Sequence, residues 1–310
     1  MMTAMDKRNE PRTPLTRRRQ AGLSLTGFLF LLPAALFLLY ANFIPFLWNT
    51  ILAFQDWNGF RAASWAGLDN FRRAFADELV RSSLGNSLYL ALVSTLGAVL
   101  LGVVLAAFLY RLGSREGTVA RLILFMPSMM PIAVIALLFT FIYNPTMGIL
   151  NNLLSLLGRG DLANAWLEDR NTVMFCIAVV SIFRMTGSSM LLCFAAMQVI
   201  PTSFLESSVL DGAGYRQQYF RILLPLIRPT ILLTTINTLS VNFKTYDTVF
   251  ILTRGGPGNL SKTVPILMTE TAFIHSEFGY SAAMGVMLTV VIMAIIALSN
   301  KALGGEQHEL

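Results

Sequence analysis

Charge is scarce in this chain. Asp, Glu, Lys and Arg make up 13% of its 310 residues, about half the share found in soluble domains. Hydrophobic residues make up 55%, and mean hydropathy is +0.63. A composition so poor in charge excludes an ordinary soluble domain and leaves a membrane protein. Histidine is scarcer still, with His275 and His308 the two in the chain. Cys176 and Cys193 are the two cysteines. No cluster has metal-ligand spacing, and no nucleophile–base constellation is visible in an apolar segment or at its edge. Neither a metal site nor a catalytic residue is assigned. Both cysteines lie in one apolar segment, where 17 residues of helix separate them by about 25 Å. That is too far for a disulfide, so they read as inert thiols. The net charge of +6 and the pI of 9.6 come from basic residues in the polar connections. They point to topology rather than to nucleic acid.

Apolar residues are plentiful and arranged in long runs. Six runs approach the roughly 20 residues that cross a bilayer: about 23–46, 86–110, 122–143, 173–197, 230–252 and 281–300. The expected fold class is an all-α membrane protein, a six-helix transmembrane domain over 23–300. A basic, irregular tail over 1–22 precedes it, and a short tail over 301–310 follows. The first run is too long for the apolar region of a signal peptide and lacks a small-residue exit, so it is read as a span. Pro127 and Pro131 lie within the third run. Such breaks survive in lipid only where neighbours satisfy the freed carbonyls, which places that span inside a bundle. In the second run Ser94, Ala98, Gly102 and Ala106 recur every four residues, a stripe that lets helix backbones approach closely.

Basic residues set the orientation. Lys7, Arg8, Arg12, Arg17, Arg18, Arg19, Arg111, Arg115, Arg121, Arg216, Arg221, Arg228 and Lys301 fall on one side. Arg61, Arg72, Arg73, Arg81, Arg159, Arg170, Arg254 and Lys262 fall on the other. The bias places both termini and the 198–229 connection in the cytoplasm.

That connection is the most patterned polar stretch. Ser203 and Glu206 have capping-box spacing, predicting a short helix that starts near Ser203 and stops at Gly212, where glycine takes the left-handed conformation. A second short helix is predicted from Tyr215 to Leu223, ending before Pro225. Together they read as a rigid docking element. Glu206-Ser207-Ser208, then Gly212, then Ile222 and Leu224-Pro225 resemble the EAA loop of ABC importer permeases, with Ser207 and Ser208 where alanines are usual.

Two further segments carry the same resemblance. Gly67-Leu68-Asp69-Asn70-Phe71 is similar to the G-L-x-N-[FY] segment of carbohydrate-type permeases. Leu252-Thr253-Arg254-Gly255-Gly256-Pro257 is similar to their L-T-x-G-G-P, typical of the first permease of maltose-type transporters. Gly148-Ile149-Leu150-Asn151 with Trp166-Leu167 fits the same family. The resemblance implies a bundle with cytoplasmic coupling helices (201–225), a second homologous permease, two ABC ATPase subunits and an extracytoplasmic solute-binding protein. ATP and Mg are then used by the partner ATPases, and this chain binds no cofactor directly. The residues implied in coupling are Ser203, Glu206, Ser207, Ser208, Asp211, Gly212, Ala213, Ile222 and Pro225.

Ionisable residues at membrane depth face a protein interior or a wet cavity. Arg184, Lys244 and Asp247 are the clear cases, and Lys244 and Asp247 stand three apart, close enough on a helix to pair. Thr234, Thr238, Asn242 and Thr245 share one helical face, suited either to sugar hydroxyls or to helix–helix hydrogen bonds. The resemblance implies a sugar cavity lined by Thr238, Asn242 and Thr245, by Ser181, Arg184, Met185 and Ser188, and by Ser128 and Ile132. Cations in that place suggest a sugar derivative with a sulfonate, phosphate or carboxylate. The competing classes are an ion-coupled secondary transporter, a membrane-embedded enzyme and an ABC permease for a non-sugar solute. The first would need no docking loop and usually more spans or a repeat.

Overall fold

The structure, a computed structural model, describes residues 15–112 and 114–303. The expected tails up to residue 14 and beyond 303 lie outside the described residues. The chain divides into two units, 1–52 and 53–310. In the first, α1 (Leu15–Leu38) passes through a π-helical stretch, Leu39–Phe43, into α2 (Ile44–Leu52). The Ile44 N–H reaches back five residues to the Leu39 carbonyl, the bond that defines a π turn. Helix therefore starts at Leu15, inside the stretch expected to be irregular, and Gly27–Leu52 is apolar and long enough to cross a bilayer.

The second unit opens with a two-rung antiparallel hairpin, β1 (Gln55–Asp56) and β2 (Ser64–Trp65), and then α3 (Asp69–Ala76). The Asn70 amide donates to the carbonyls of Ala53 and Gln55 at 3.0 and 2.9 Å, and Phe71 packs on Phe54. The G-L-x-N-F segment is thus a lock on the hairpin. α4 (Glu78–Tyr110) follows, capped by the Asp77 carboxylate, which accepts from the Leu79 N–H at 2.8 Å. α5 (Ser114–Met129) and α6 (Ile132–Ile142) meet at a 95° bend. Next come α7 (Ile149–Leu156) and the long α8 (Val173–Val199).

The expected span 122–143 is therefore two helices. Pro131 lacks an N–H and drives the preceding residue away from helical geometry, and it sits at φ −56, ψ 134 directly before α6. Pro127, by contrast, lies inside α5.

After α8 the chain forms α9 (Thr202–Leu210) and α10 (Tyr215–Gln218). α10 continues through a π-helical stretch, Tyr219–Leu223, into α11 (Leu224–Leu226). α12 (Arg228–Phe243) leaves at a 64° bend. α13 (Asp247–Leu252), α14 (Val264–Phe273) and α15 (Phe278–Leu303) complete the order. The expected span 230–252 is also broken, at Lys244–Tyr246 between α12 and α13. The Thr263 hydroxyl donates to the freed Thr245 carbonyl at 3.3 Å, as a break at membrane depth requires. Among the described residues four helices are long and apolar enough to cross a membrane, and six spans result if each bent pair, α5 with α6 and Tyr215–Leu226 with α12, counts as one.

α4 and α8 form the centre. Gly97 lies against Ile182, and Gly102 against Ser189 and Met190. Both contacts advance in the same direction, so the helices run parallel. A Cβ on Gly102 would stand 2.6 Å from Ser189 Cβ and 2.8 Å from the Met190 nitrogen. Only glycine permits that approach, and Ser94, Ala98 and Ala106 of the same stripe are fully buried. Free Cys176 and Cys193 are buried in this core.

The two ends of the bundle differ. At one end Asn86 of α4 donates to the Leu260 and Lys262 carbonyls, and the Ser87 hydroxyl accepts from the Val264 N–H. This end carries the connections 53–77, 143–172 and 253–263. The other end carries α9 and α10.

Candidate functional site: a fastened hairpin and a broken-helix interior

α9 begins at Thr202, with Pro201 (φ −58) in the capping position and no side-chain cap. The expected capping box does not form. Proline starts the helix one residue early, so Ser203 lies within the first turn, and Glu206 is exposed on the surface. The stop is as expected. Gly212 has φ +79, its N–H bonds to the Val209 carbonyl at 3.0 Å, and the Ala213 N–H bonds to the Ser208 carbonyl at 2.9 Å. These are the two bonds of a Schellman ending. Nothing lies within 4 Å of a Cβ built on Gly212, so backbone conformation alone demands glycine there.

The second helix is longer than expected and does not stop before Pro225. Proline removes one backbone donor, and the turn before it widens: the Leu224 N–H bonds five residues back to the Tyr219 carbonyl. The π turn lets the helix carry Pro225 on to Leu226. Ile222 is half-buried and Pro225 exposed.

Side chains fix the hairpin internally and to the bundle. Buried Ser208 donates to the Leu205 carbonyl at 2.7 Å and accepts from Gln218 Nε2 at 2.9 Å. The Gly214 N–H donates to Gln217 Oε1 at 3.0 Å. The Tyr215 hydroxyl donates to the Ala107 carbonyl at 2.8 Å, and that of Tyr219 to the Val103 carbonyl at 3.4 Å. Ala107 is in the last turn of α4, where helix carbonyls lack intrahelical partners. The Arg111 guanidinium lies 4.1 Å from the Tyr215 ring centre. Ser203, Glu206, Ser207, Asp211 and Gly212 are left facing outward, with Leu210 89% exposed among them. Sequence reasoning missed Tyr215, Gln218 and Tyr219; the i, i+4 tyrosine pair was the available signal.

In the interior, three expected residues meet through one hydroxyl. Ser128, in the last turn of α5, donates to the Arg184 carbonyl at 2.6 Å and accepts from the Ser188 N–H at 3.1 Å. Those two groups stand one turn apart on α8, so the Ser128 hydroxyl bridges that turn. Gly187 makes room, since a Cβ there would stand 2.6 Å from the Leu124 carbonyl oxygen. The half-buried Arg184 side chain makes no hydrogen bond or ion pair among the described residues, and Asp247 is the acidic charge that acts on it. Ser188 and Ile132 are half-buried, while Ser181 and Met185 are buried.

Thr234, Thr238 and Asn242 do share a face of α12, and all three are buried. Asn242 Nδ2 donates to Thr95 Oγ1 of α4 at 3.2 Å, so at Asn242 this face makes a helix–helix contact. The expected Lys244–Asp247 pair is absent from the ion pairs among the described residues. α12 ends before Lys244 and Asp247 opens α13, so the three-residue helical spacing does not exist. Both side chains are exposed, and Thr245 is half-buried.

At the far end Asn151 Nδ2 donates to the Pro145 and Asn164 carbonyls, and its Oδ1 accepts from Trp166 Nε1 at 2.7 Å and from the Asn164 N–H. The Asn171 N–H, and then the Asn164 amide, hold the nearby Asp169 carboxyl below the usual carboxylate range. Thr253 and Ser261 hydroxyls pair at 2.8 Å to close the L-T-x-G-G-P turn. The two loops border a cleft of about 310 Å³ lined by Tyr143, Pro145, Leu167, Glu168, Thr253 and Pro257.

In the second unit, a helical bundle with broken spans and a tied-down hairpin at one end is the architecture of a membrane transport subunit. The chain belongs to the family of the binding-protein-dependent transport system inner membrane component, whose model matches residues 98–304. It is 34% identical over 276 residues to the probable ABC transporter permease protein YurN of Bacillus subtilis, covering 88% of this chain and 94% of the relative. It is 29% identical over 322 residues to the diacetylchitobiose uptake system permease protein NgcF of Streptomyces coelicolor, covering 98% and 91%. The fold matches a chain in the crystal structure of a bacterial ABC transporter that imports the acidic polysaccharide alginate. The TM-score there is 0.79 at 21% identity, covering 93% of this chain and 98% of that one. The chain is thus a non-catalytic inner-membrane permease subunit of a binding-protein-dependent ABC importer, and the secondary-transporter and enzyme classes are set aside.

Proposed function

We propose that this chain is one of two homologous permease subunits of an ATP-driven importer that receives a sugar or sugar derivative from an extracytoplasmic binding protein. The diacetylchitobiose relative and the carbohydrate-type motifs at 67–71 and 252–257 support the solute class. Two ABC ATPase subunits complete the assembly, and ATP and Mg bind to them rather than to this chain. The hairpin end and both termini face the cytoplasm, in keeping with the basic-residue bias.

One observation carries the coupling role: the hairpin is fastened to α4 by Tyr215 and Tyr219 while its other surface stays open. ATPase closure draws such hairpins together. Their displacement passes through the tyrosine hydroxyls to α4 and, across the close contact at Gly102, to α8. The bundle then alternates between outward and inward openings. Ser208, Ala213 and Ile222 shape the hairpin, while Ser203, Glu206, Ser207, Asp211, Gly212 and Pro225 present it.

In the interior, Arg184, Ser188, Lys244, Thr245 and Asp247 face the solute. Ser128, Ser181, Met185, Thr238 and Asn242 support that surface from behind. Free guanidinium donors at Arg184 suit a substrate with a sulfonate, phosphate or carboxylate, which a guanidinium binds in bidentate fashion. Uptake kinetics in the reconstituted importer test this. Arg184→Gln should raise KM for an anionic sugar derivative on the order of ten- to a hundred-fold and leave a neutral analogue unaffected. Efficient uptake of neutral sugars alone by the parent importer would end the anionic reading while leaving the coupling role intact.

A further inference from the structure

Beside the hairpin lies a groove of about 280 Å³ whose apolar wall and basic rim the coupling role does not use. Val104 and Phe108 of α4 and Phe220 of the π stretch form its apolar wall, and they are 60, 58 and 62% exposed. Tyr215 and Tyr219 form its floor, and Arg111 and Arg216 its rim. Neither arginine takes part in an ion pair among the described residues. The Arg111 guanidinium carbon lies over the Tyr215 ring, 4.1 Å from its centre. Its N–H donors have no hydrogen-bond partner among the described residues, and a guanidinium over an aromatic ring can still donate to an anion. Arg216 is exposed, and its guanidinium has no hydrogen-bond partner among the described residues.

We infer that this groove binds an anionic glycerophospholipid, with an acyl chain against Val104, Phe108 and Phe220 and the phosphate between Arg111 and Arg216. The spacing fits: the seven helical steps from Val104 to Arg111 rise about 10 Å. That is enough to carry a lipid from its upper acyl segment to its headgroup. Charge complementarity selects an anionic over a zwitterionic lipid, because two uncompensated guanidiniums meet one phosphate and gain little from a headgroup that brings its own cation. The lipid would brace the π stretch on which Tyr219 reaches α4. The inference rests on α4 spanning the membrane and is independent of the transported solute.

The test uses the assembled importer in nanodiscs with a Phe220→Trp reporter, read as the fluorescence increment over the parent. Trp48, Trp57, Trp65 and Trp166 are the native tryptophans and cancel in that increment. Brominated phosphatidylglycerol should quench the reporter in preference to brominated phosphatidylcholine. Arg216→Gln should weaken that preference about five-fold, with a similar further loss on adding Arg111→Gln, and Arg216→Lys should retain most of it. Equal quenching by both lipids in the parent would reduce the groove to ordinary lipid contact and overturn the inference. No quenching by either would show that a protein subunit covers it, and would overturn the inference equally.

Discussion

At Gly212 the requirement is conformational and not steric. Its φ of +79 disfavours a β-branched side chain, at a cost of about 1–3 kcal/mol, although the space around it is open. Gly212→Val should therefore misdirect the hairpin and abolish substrate-stimulated ATPase activity while the complex still assembles. Gly212→Asn, which tolerates the left-handed region, should keep most of it. Normal stimulation in the valine variant would remove Gly212 from the coupling account. Ser128 makes a different kind of prediction. Ser128→Ala removes a hydroxyl that bridges one turn of α8, so the stability change should stay near 1 kcal/mol. Without the bridge the Arg184 turn loses its tie to α5, so uptake should show a changed KM with thermal stability nearly intact. An unchanged KM would make Ser128 a packing contact only.

At the scale of elements, what was legible in the sequence depended on whether local chemistry decided the outcome. The Schellman ending at Gly212 and the tight α4 stripe need only a glycine or a run of small residues, and both were read correctly. The capping box at Ser203 and Glu206 was a sound pattern overruled by Pro201 one position earlier. The breaks at Pro131 and at Lys244–Tyr246 were harder. The first was visible as a proline but not as a 95° turn. The second depends on Thr263, 18 residues on from Thr245, to satisfy a carbonyl that no local pattern reveals. With that break the Lys244–Asp247 spacing lost its meaning. The tyrosine pair was a local signal, but its partners on α4 were not legible, because Tyr215 and Ala107 are 108 residues apart.

Those ties are testable. Tyr215→Phe removes one hydroxyl and leaves the ring under Arg111, so stability should fall by about 0.5–1.5 kcal/mol. ATP hydrolysis should persist while solute stimulation declines, and full coupling would shift the role to Tyr219 alone. Asn151→Ala deletes four hydrogen bonds in the 143–172 connection. Limited proteolysis should then cut that connection faster, with the α4–α8 core unaffected; an unchanged rate would assign its order to the helices around it. Near neutral pH the Asp169 contacts persist, because a carboxyl held below its usual range loses that support only as pH falls through the lowered value.

For the whole molecule, the membrane class and family were legible because low charge, apolar runs and the spaced Glu206–Gly212–Pro225 pattern are properties of the chain itself. The division of the interior into open and supporting residues was not, since it depends on which helix each face meets. The central claim is that the hairpin hands ATPase motion to the bundle from the cytoplasmic side. The most direct measurement places a cysteine at exposed Ser207 in the assembled, transporting complex, in a background with Cys176 and Cys193 replaced. The account predicts a cross-link to a nucleotide-binding subunit whose yield changes through the ATP cycle, and labelling by a membrane-impermeant thiol reagent only from the cytoplasmic face. Labelling from the outer face, or a working complex in which Ser207→Cys never meets an ATPase, would contradict it.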